Sequence, residues 1–393
     1  MGINRKIMIV AGEASGDAHA AKLANALRKA EPATEFEFFG AAGPKMRVAG
    51  VEAVVSSDGL SIVGLAEIGR ALPMFLRASR DLKKAAVDRK PDVVILVDFP
   101  DFNLKLAKYL KKQAFPIIYY ISPQIWAWRK YRISAIKKCV DLLLTILPFE
   151  KDWYAKHGFT RVEYVGNPLA NEVHSKRSKE EFCGDNAIDF NRPVISLLPG
   201  SRHKEIVRIA PVLFEAAIKL LDKVPDAQFI IPLASGRHRP EVELMIRAFV
   251  EDNRPTPALF CVVENETYDA LNASDAAAVA SGTATLETGL IGTPMAIVYK
   301  TSAVNFALLE PLISVEHYGL INLIAGKRVV KELIQAEFTA ESLSSELLRL
   351  IQPDENAKMR RTLKEVAEKL GSGGASTRAA QAVLSLLKEK ASG

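Results

Sequence analysis

Short apolar runs alternate with longer amphipathic stretches along most of this chain. Apolar runs rich in Val, Ile and Leu are typical of parallel strands covered on both faces, and the stretches between them are typical of helices. The pattern therefore predicts an α/β fold with two successive arrays of strands and helices. Predicted strands are 6–11, 35–39, 93–98, 117–121, 142–146 and 162–165 in the first array, and 194–198, 228–232, 258–263, 276–280 and 295–298 in the second.

A polar stretch with few strand formers separates the two arrays, which is typical of an interdomain linker. A length of 393 residues also favours two domains. We predict an N-terminal domain over 1–170 and a second domain over 190–365. A helical tail over 366–393 follows, and its return to the N-terminal domain is one alternative. The predicted architecture is two Rossmann-like domains that face each other across a cleft.

The composition, 49% hydrophobic and 25% charged residues, is that of an ordinary globular protein. The three cysteines lie far apart without a CxxC pair, which argues for a reducing compartment and against structural zinc. The sequence has no run of about 18 apolar residues, so it predicts no membrane-spanning helix. The first apolar run leads into a Gly-rich turn without a cleavage-type site, so we predict a cytoplasmic protein.

Positive charge is concentrated in the N-terminal half. Residues 60–138 carry sixteen Lys and Arg against six Asp and Glu, a net charge of +10, although the whole chain carries +6. This asymmetry indicates an anionic partner, with a solvated basic surface as the alternative.

Within this region, 60–82 combines apolar residues with arginines, which fits contact with an anionic membrane; a core-facing amphipathic helix is the alternative. The predicted membrane-contacting residues are Ile62, Val63, Leu65, Ile68, Leu72, Phe75 and Leu76.

Two strand–turn–helix motifs in the second array indicate a phosphate site. The segment 281–287 (SGTATLE) follows a buried strand and opens a helix, where backbone N–H groups and the helix dipole favour negative charge. Simple helix capping is the alternative for this segment. The segment 198–202 (LPGSR) follows the first strand of the same array and adds an arginine able to clamp a phosphate. The predicted donor-site residues are Gly200, Ser201, Arg202, Ser281, Gly282, Thr283 and Glu287, with Glu287 placed for ribose hydroxyls.

In the first array, 12–17 (GEASGD) opens a helix but matches neither GxGxxG nor a Walker motif. Asp98 ends a predicted strand, where α/β sheets bind ligands, and is a candidate general base or a structural carboxylate. Asp101 is predicted as a helix cap or an acceptor-side residue. Tryptophans in 122–129 (SPQIWAWR) belong to the core or to an acceptor-site wall. The acceptor-side candidates are Glu13, Ser15, Asp17, Asp101, Trp126 and Trp128.

Together these motifs closely resemble the lipid-A-disaccharide synthase family, from near the N-terminus to about residue 333. The matching stretches are 12–17 (GEASGD), 39–46 (FGAAGPKM), 98–103 (DFPDFN), 122–129 (SPQIWAWR), 146–154 (ILPFEKDWY), 165–170 (VGNPLA), 197–202 (LLPGSR), 281–287 (SGTATLE), 292–300 (GTPMAIVYK) and 319–326 (GLINLIAG).

The resemblance implies an inverting glycosyltransferase of GT-B fold that needs neither metal nor cofactor. It implies transfer of 2,3-diacylglucosamine from UDP-2,3-diacylglucosamine to 2,3-diacylglucosamine 1-phosphate at the cytoplasmic face of a Gram-negative inner membrane. Asp98 would take the proton of the attacking hydroxyl, Arg202 would stabilise the leaving group, and Asn322 would contact the donor or the other domain.

Two other classes stay open at this stage. A related GT-B enzyme on a soluble UDP-sugar, such as a UDP-N-acetylglucosamine 2-epimerase, would not need an exposed 60–82 segment. A nucleic-acid-binding protein accounts only for the basic segment and lacks a recognisable binding module, so no nucleic-acid partner is expected. The sequence leaves the oligomeric state open.

Overall fold

The computed structural model describes residues 3–58, 68–253, 260–302, 306, 315–371 and 373–392. Its contacts divide the chain into two units. The first comprises Met1–Pro168 and Ser372–Gly393, and the second comprises Leu169–Gly371.

The first unit is built on a seven-stranded parallel sheet. Its order is β3-β2-β1-β4-β5-β6-β7, with β1 Ile3–Ala11, β2 Thr34–Ala42, β3 Glu52–Ser56, β4 Val93–Val97, β5 Ile117–Tyr120, β6 Leu142–Thr145 and β7 Val162–Tyr164. Every residue of β4 is buried, as its unbroken apolar sequence predicts for a strand covered on both faces. The helices are α1 Ala14–Ala30, α2 Pro44–Val48, α3 Ile68–Arg89, α4 Pro100–Lys112, α5 Ile133–Cys139 and α6 Glu150–Lys156.

The second unit holds a six-stranded parallel sheet. Its order is β10-β9-β8-β11-β12-β13, with β8 Val194–Leu198, β9 Gln228–Leu233, β10 Phe260–Glu264, β11 Ala276–Ala280, β12 Met295–Tyr299 and β13 Lys331–Ile334. The described helices are α7 Lys179–Asp185, α8 His203–Leu221, α9 Arg239–Asn253, α10 Thr267–Ala273, α11 Thr283–Ile291, α12 Leu320–Ala325, α13 Ala340–Leu350 and α14 Pro353–Glu368. The last helix of the chain, α15 Ala375–Ser392, belongs to the first unit.

Both sheets follow the Rossmann order, so the predicted α/β class with two parallel-sheet domains is confirmed. In this order the chain reverses direction across the sheet between β1 and β4, and again between β8 and β11. Ligands of such sheets bind at the carboxyl ends of the strands beside this reversal. The topology therefore singles out the turns after β1 and β4 in the first unit, and after β8 and β11 in the second.

The region predicted as a linker is part of the second unit. Helix α7 begins at a capping box in which Ser178 accepts from the Glu181 backbone and Glu181 accepts from the Ser178 backbone. Phe182 and Cys183 of this helix are buried in the core beside β8 and α10. The sequence pattern does not predict β3, which is largely exposed, or β13, whose four residues KELI begin with two charged side chains.

Helix α15 packs on α1 over one face of the first sheet. Its buried face joins the core that contains Leu23 and Leu27 of α1, and Arg378 Nε donates to the Val165 carbonyl at 2.8 Å. The buried residues of α15 in this core are Ala379, Ala380, Ala382, Val383, Leu384, Leu386 and Leu387. The tail thus lies with the N-terminal unit, which was one of the two sequence alternatives.

Candidate active site

A cavity of about 700 Å³ lies in the second unit at the carboxyl ends of its central strands. Strands β8 and β11 are paired neighbours in the sheet, so the turns that follow them lie side by side. Helix N-termini and small residues at such a position favour an anionic ligand. Seven of the eight predicted donor-site residues line this cavity: Gly200, Ser201, Arg202, Ser281, Gly282, Thr283 and Glu287.

Glycine is required in both turns by the backbone. Gly200 has φ +110°, and a Cβ there would lie 2.6 Å from a carboxylate oxygen of Glu205. Gly282 has φ +156° and precedes the first residue of α11, with open space where a Cβ would be. A side chain at either position would be strained or would project from a turn that lines the cavity. The two glycines therefore keep the backbone open to ligand atoms.

Arg202 extends into solvent at the mouth of this cavity. Its side chain is 80% exposed, and Nη1 lies 2.8 Å from Glu205 Oε1. Glu205 also accepts from the Ser201 backbone N–H at 3.2 Å. An exposed ion pair of this kind contributes little to stability, so the guanidinium can exchange Glu205 for a ligand phosphate at low cost. Glu205 itself was missed by sequence reasoning.

Glu287 has a fixed partner that the sequence did not reveal. Its Oε1 accepts a hydrogen bond from the Tyr268 hydroxyl at 3.0 Å. Burial raises the pKa of Glu287, and the Tyr268 hydrogen bond partly offsets that rise. Tyr268 also lines the cavity, so the pair presents a half-buried carboxylate to a ligand in a defined orientation.

The replacement Glu287→Ala should raise the Kd of UDP by about tenfold or more, because it removes the half-buried carboxylate predicted to accept hydrogen bonds from the ribose hydroxyls. Turnover at saturating donor should change less. Calorimetric titration with UDP checks the prediction, and Glu251→Ala, at an exposed carboxylate on α9, is the matched control. An unchanged UDP affinity would contradict the ribose assignment.

The segment after the first unit forms another wall of the cavity. Glu172, His174 and Lys176 line it, and the Lys176 backbone N–H donates to Asp269 Oδ1 at 2.6 Å. The sequence reading treated this segment as linker and assigned it no ligand contact. No local motif marks these residues, because Asp269 lies 93 positions along the chain from Lys176.

Asn322 does not line the cavity. Its side chain is fully buried: Nδ2 donates to the Val330 carbonyl and to Glu332, and Oδ1 accepts from the Val329 and Val330 backbone. The amide holds the chain that leads into β13. Asn322 therefore has a structural role in this geometry, and its predicted contact with the donor has no support.

Asp98 follows β4 directly, at the reversal point of the first sheet. Burial is the main cause that raises its pKa to about 6; the nearby Glu13 charge raises it further, and a hydrogen bond with the Phe99 backbone opposes the rise. Its backbone carbonyl accepts from Tyr119 Oη at 2.5 Å and Asn103 Nδ2 at 2.8 Å. These bonds fix the Asp98 backbone, and a half-buried carboxylate with a pKa of about 6 has the properties of a general base.

Backbone strain is concentrated around this carboxylate. Asp98 and Phe99 have φ of +45° and +51°, Ile121 after β5 has φ +63°, and Arg129 has φ +60°. Residues other than glycine rarely adopt such angles, and they cluster at functional sites when they do. Three of the nine such residues in the described chain, Asp98, Phe99 and Ile121, thus directly follow β4 and β5, and Arg129 lies in the loop after β5.

Two acceptor-side candidates are structural in this geometry. Asp17 is buried, and its carboxylate accepts from the backbone N–H groups of Gly43, Lys45 and Met46 at 2.8–3.1 Å. Trp126 is 3% exposed, and its Nε1 donates to Glu150 Oε1 at 3.0 Å. Both Asp17 carboxylate oxygens and the Trp126 indole N–H are engaged within the protein, so this geometry gives the two acceptor-side predictions no support.

The remaining candidates are accessible. Glu13 and Ser15 are exposed at the start of α1, and Trp128 is 39% exposed with the Arg129 guanidinium 4.1 Å from its ring centre. Asp101 is exposed and pairs with Arg129 and Arg132. The accessible groups therefore lie at the ends of β1, β4 and β5.

Glu150 anchors the loop that carries these aromatic and basic residues. It is fully buried, and besides Trp126 it accepts from the Leu147 backbone N–H at 3.0 Å. Burial raises the pKa of Glu150 to about 7, and the Trp126 hydrogen bond opposes this rise. The sequence reading did not identify this carboxylate, because its partner lies 24 positions away.

The predicted membrane segment is described only in part. Ile62, Val63 and Leu65 lie outside the described residues, and Ile68 begins α3 without a described side chain. Leu72 and Leu76 are 54% and 63% exposed. Phe75 is half-buried and packs against Phe99 and Phe102, at 6.1 and 6.2 Å between ring centres, so its membrane contact stays a prediction.

No described helix is both long enough and apolar enough to cross a membrane. In the same part of the chain, no group of three or more His, Cys, Asp and Glu side chains is arranged to hold a metal ion.

Comparison with known proteins identifies the family. Residues 7–386 match the family described as Lipid-A-disaccharide synthetase. The chain belongs to the lipid-A-disaccharide synthase family. It is 42% identical over 389 residues to the lipid-A-disaccharide synthase of Geobacter metallireducens, covering 98% of each chain. It is 43% identical over 383 residues to that of Myxococcus xanthus, covering 97% of each.

The fold agrees with this family assignment. The crystal structure of the glycotransferase of kitacinnamycin superposes with a TM-score of 0.61 at 15% identity, covering 98% of this chain and 99% of that one. The predicted GT-B class is thus confirmed. The chain is a glycosyltransferase of the lipid-A-disaccharide synthase family, and the alternatives of a soluble UDP-sugar epimerase and a nucleic-acid-binding protein are set aside.

Proposed function

We propose that the protein transfers 2,3-diacylglucosamine from UDP-2,3-diacylglucosamine to 2,3-diacylglucosamine 1-phosphate. The products are a β-1,6-linked disaccharide 1-phosphate and UDP. The observation that carries this proposal is the convergence of seven predicted donor residues on one cavity of the second unit. The family assignment supports the choice of an acylated glucosamine as the transferred sugar.

On the donor, the diphosphate binds at the N-terminus of α11 and against Arg202. Negative charge grows on the diphosphate oxygen as the bond to the anomeric carbon breaks. The helix dipole and the guanidinium stabilise that charge, which lowers the barrier more than it strengthens ground-state binding. Glu287, held by Tyr268, accepts hydrogen bonds from the ribose.

On the acceptor, Asp98 takes the proton of the 6-hydroxyl as its oxygen attacks the anomeric carbon. A pKa of about 6 leaves the carboxylate ionised at neutral pH and basic enough to accept that proton. Attack on the face opposite the departing UDP inverts the anomeric configuration. The proposed step uses no metal ion and no cofactor.

UDP release tests the proposal directly. The purified enzyme should release UDP from the acylated donor when the acyl-sugar phosphate is present, and much more slowly when it is absent. The disaccharide should form in equal amount to UDP. Release with UDP-N-acetylglucosamine but not with the acylated donor would overturn the proposal.

We also propose that the enzyme works at the cytoplasmic surface of a Gram-negative inner membrane, where acylated substrates reside. Leu72 and Leu76 support this, because they are exposed on α3 beside Arg77 and Arg80, whose side chains are 79% and 75% exposed. Exposed apolar residues flanked by cations are typical of contact with anionic lipid.

The double replacement Leu72→Ser and Leu76→Ser should reduce flotation with vesicles of anionic phospholipid by several-fold. Each leucine buried in lipid contributes about 1.5–3 kcal/mol at most, so the loss is measurable by co-flotation at low salt. Leu244→Ser, at a leucine 68% exposed in the second unit, is the control and should float like the parent. Equal flotation of all three proteins would exclude α3 as the contact.

A further inference from the structure

Two arginines of the first unit converge on one exposed carboxylate. Arg129 Nη1 lies 3.2 and 3.1 Å from the two Asp101 oxygens, and Arg132 Nη2 also pairs with Asp101. The Asp101 side chain is 70% exposed, whereas the side chains of Arg129 and Arg132 are 32% and 11% exposed. The least accessible side chain of the cluster is therefore that of Arg132, and its partner Asp101 is largely exposed to water.

The charges of this cluster are unbalanced. Two cations share a single carboxylate, so the group carries a net charge of +1. Holding Arg132 out of water is costly unless an anion compensates it, and a solvated carboxylate does so weakly. A phosphate monoester carries about two negative charges and three acceptor oxygens, and planar guanidinium groups match its geometry with paired hydrogen bonds.

The cluster adjoins the candidate base. Asp101 lies in the first turn of α4, three residues beyond Asp98. Burial raises the pKa of Tyr119, whose hydroxyl donates to the Asp98 carbonyl; Asp98 and Asp101 raise it further, and Arg132 lowers it. Asp98, Asp101 and Arg132 therefore all influence the pKa of the Tyr119 hydroxyl. A phosphate beside Arg132 would lie in the neighbourhood of the proton-accepting carboxylate.

The loop that carries the arginines is held in place. The Arg129 guanidinium stacks on the Trp128 ring at 4.1 Å, a favourable cation–π arrangement. Trp126, two residues earlier, is fixed by Glu150. An arginine held by stacking and by a buried anchor loses less entropy on binding a ligand than a free surface arginine.

We propose that Arg129 and Arg132 bind the phosphate monoester of the acceptor, and that Asp101 keeps both guanidinium groups in position when the acceptor is absent. This inference rests on the proposed function, because it takes the acceptor to be a sugar phosphate. It assigns the phosphate to the first unit, on the same sheet edge as Asp98.

Paired acceptors test the proposal. The kcat/KM is measured for the acyl-sugar 1-phosphate and for the same acyl-sugar without its phosphate, in the parent enzyme and in Arg129→Ala and Arg132→Ala. The parent should prefer the phosphorylated acceptor, and each replacement should lower that preference about tenfold or more, mainly through KM, because a charge-assisted hydrogen-bond pair is lost. Arg161→Ala, at an exposed arginine paired with Glu389, should keep the parent preference.

Two further comparisons keep the test decisive. Because Arg132 is nearly buried, Arg132→Lys is included as a milder change that retains the charge, and it should give an intermediate preference. If the parent prefers the phosphorylated acceptor and neither arginine affects that preference, the phosphate site is elsewhere and the inference fails. If the parent releases no UDP with either acceptor, the proposed function fails instead.

Discussion

Asp98→Asn is expected to lower kcat by about 10²–10⁴-fold, the usual contribution of a positioned general base. The amide has nearly the same shape but cannot accept the proton of the attacking hydroxyl. Donor binding should persist, because Asp98 belongs to the first unit and the predicted donor cavity to the second. Steady-state kinetics with both substrates checks the prediction. A loss smaller than about tenfold, or roughly 1.4 kcal/mol, would remove Asp98 from this role.

The pH dependence gives a second test of the same residue. The pKa of Asp98 is about 6, so the base is protonated below that pH and ionised above it. The parent kcat/KM should therefore fall as the pH decreases through about 6, and Asp98→Asn should lose this limb along with the activity. Asp152→Asn, at an exposed carboxylate on α6, should retain both the rate and the limb.

Stability provides the folding control. The folded-state pKa of Asp98 is raised above that of an unfolded carboxyl, so its stabilising contribution is present at low pH and is lost as the pH rises through about 6. At pH 8 the native enzyme holds a poorly solvated carboxylate. Asp98→Asn should accordingly melt at or above the parent temperature at pH 8. A lower melting temperature would show that the kinetic loss reflects damage to the fold.

Much of the lining of the second-unit cavity could be predicted from sequence because its main parts are local. A buried strand, a small-residue turn and a helix follow one another in 194–203 and in 276–287, and parallel strands end at a common edge. Two such turns in one array can therefore converge at that edge, and the pairing of β8 with β11 brings them side by side. Residues brought in from other elements, such as Tyr268 and Lys176, had no equivalent signal.

The acceptor side was less predictable because burial and hydrogen-bond partners depend on distant elements. Asp17 and Asp98 both occupy strand–turn–helix motifs. The Asp17 carboxylate accepts hydrogen bonds from backbone N–H groups at 43–46, whereas burial raises the pKa of the Asp98 carboxyl. Trp126 and Trp128 are two residues apart, but only Trp126 meets Glu150 and is buried. Sequence spacing could not distinguish the members of these pairs.

Arg202→Ala is expected to lower kcat by about 10²–10³-fold, which is typical when one donor to a developing anion is removed. The side chain is 80% exposed and its described ion-pair partner is Glu205, so little stability depends on it. The fold decrease in kcat should exceed the fold change in the Kd of UDP, because the guanidinium matters most when charge accumulates on the departing diphosphate. Single-turnover kinetics with saturating enzyme and acceptor measures the chemical step directly.

The charge and the fork geometry of Arg202 can be separated by a second replacement. Arg202→Lys keeps a cation but not the two parallel donors, and it should recover only part of the rate. Arg192→Ala, at an arginine 55% exposed and paired with Asp189 in the same unit, should behave like the parent. If Arg202→Ala retains more than a tenth of the parent kcat, the helix N-terminus of α11 must stabilise the leaving UDP without this arginine.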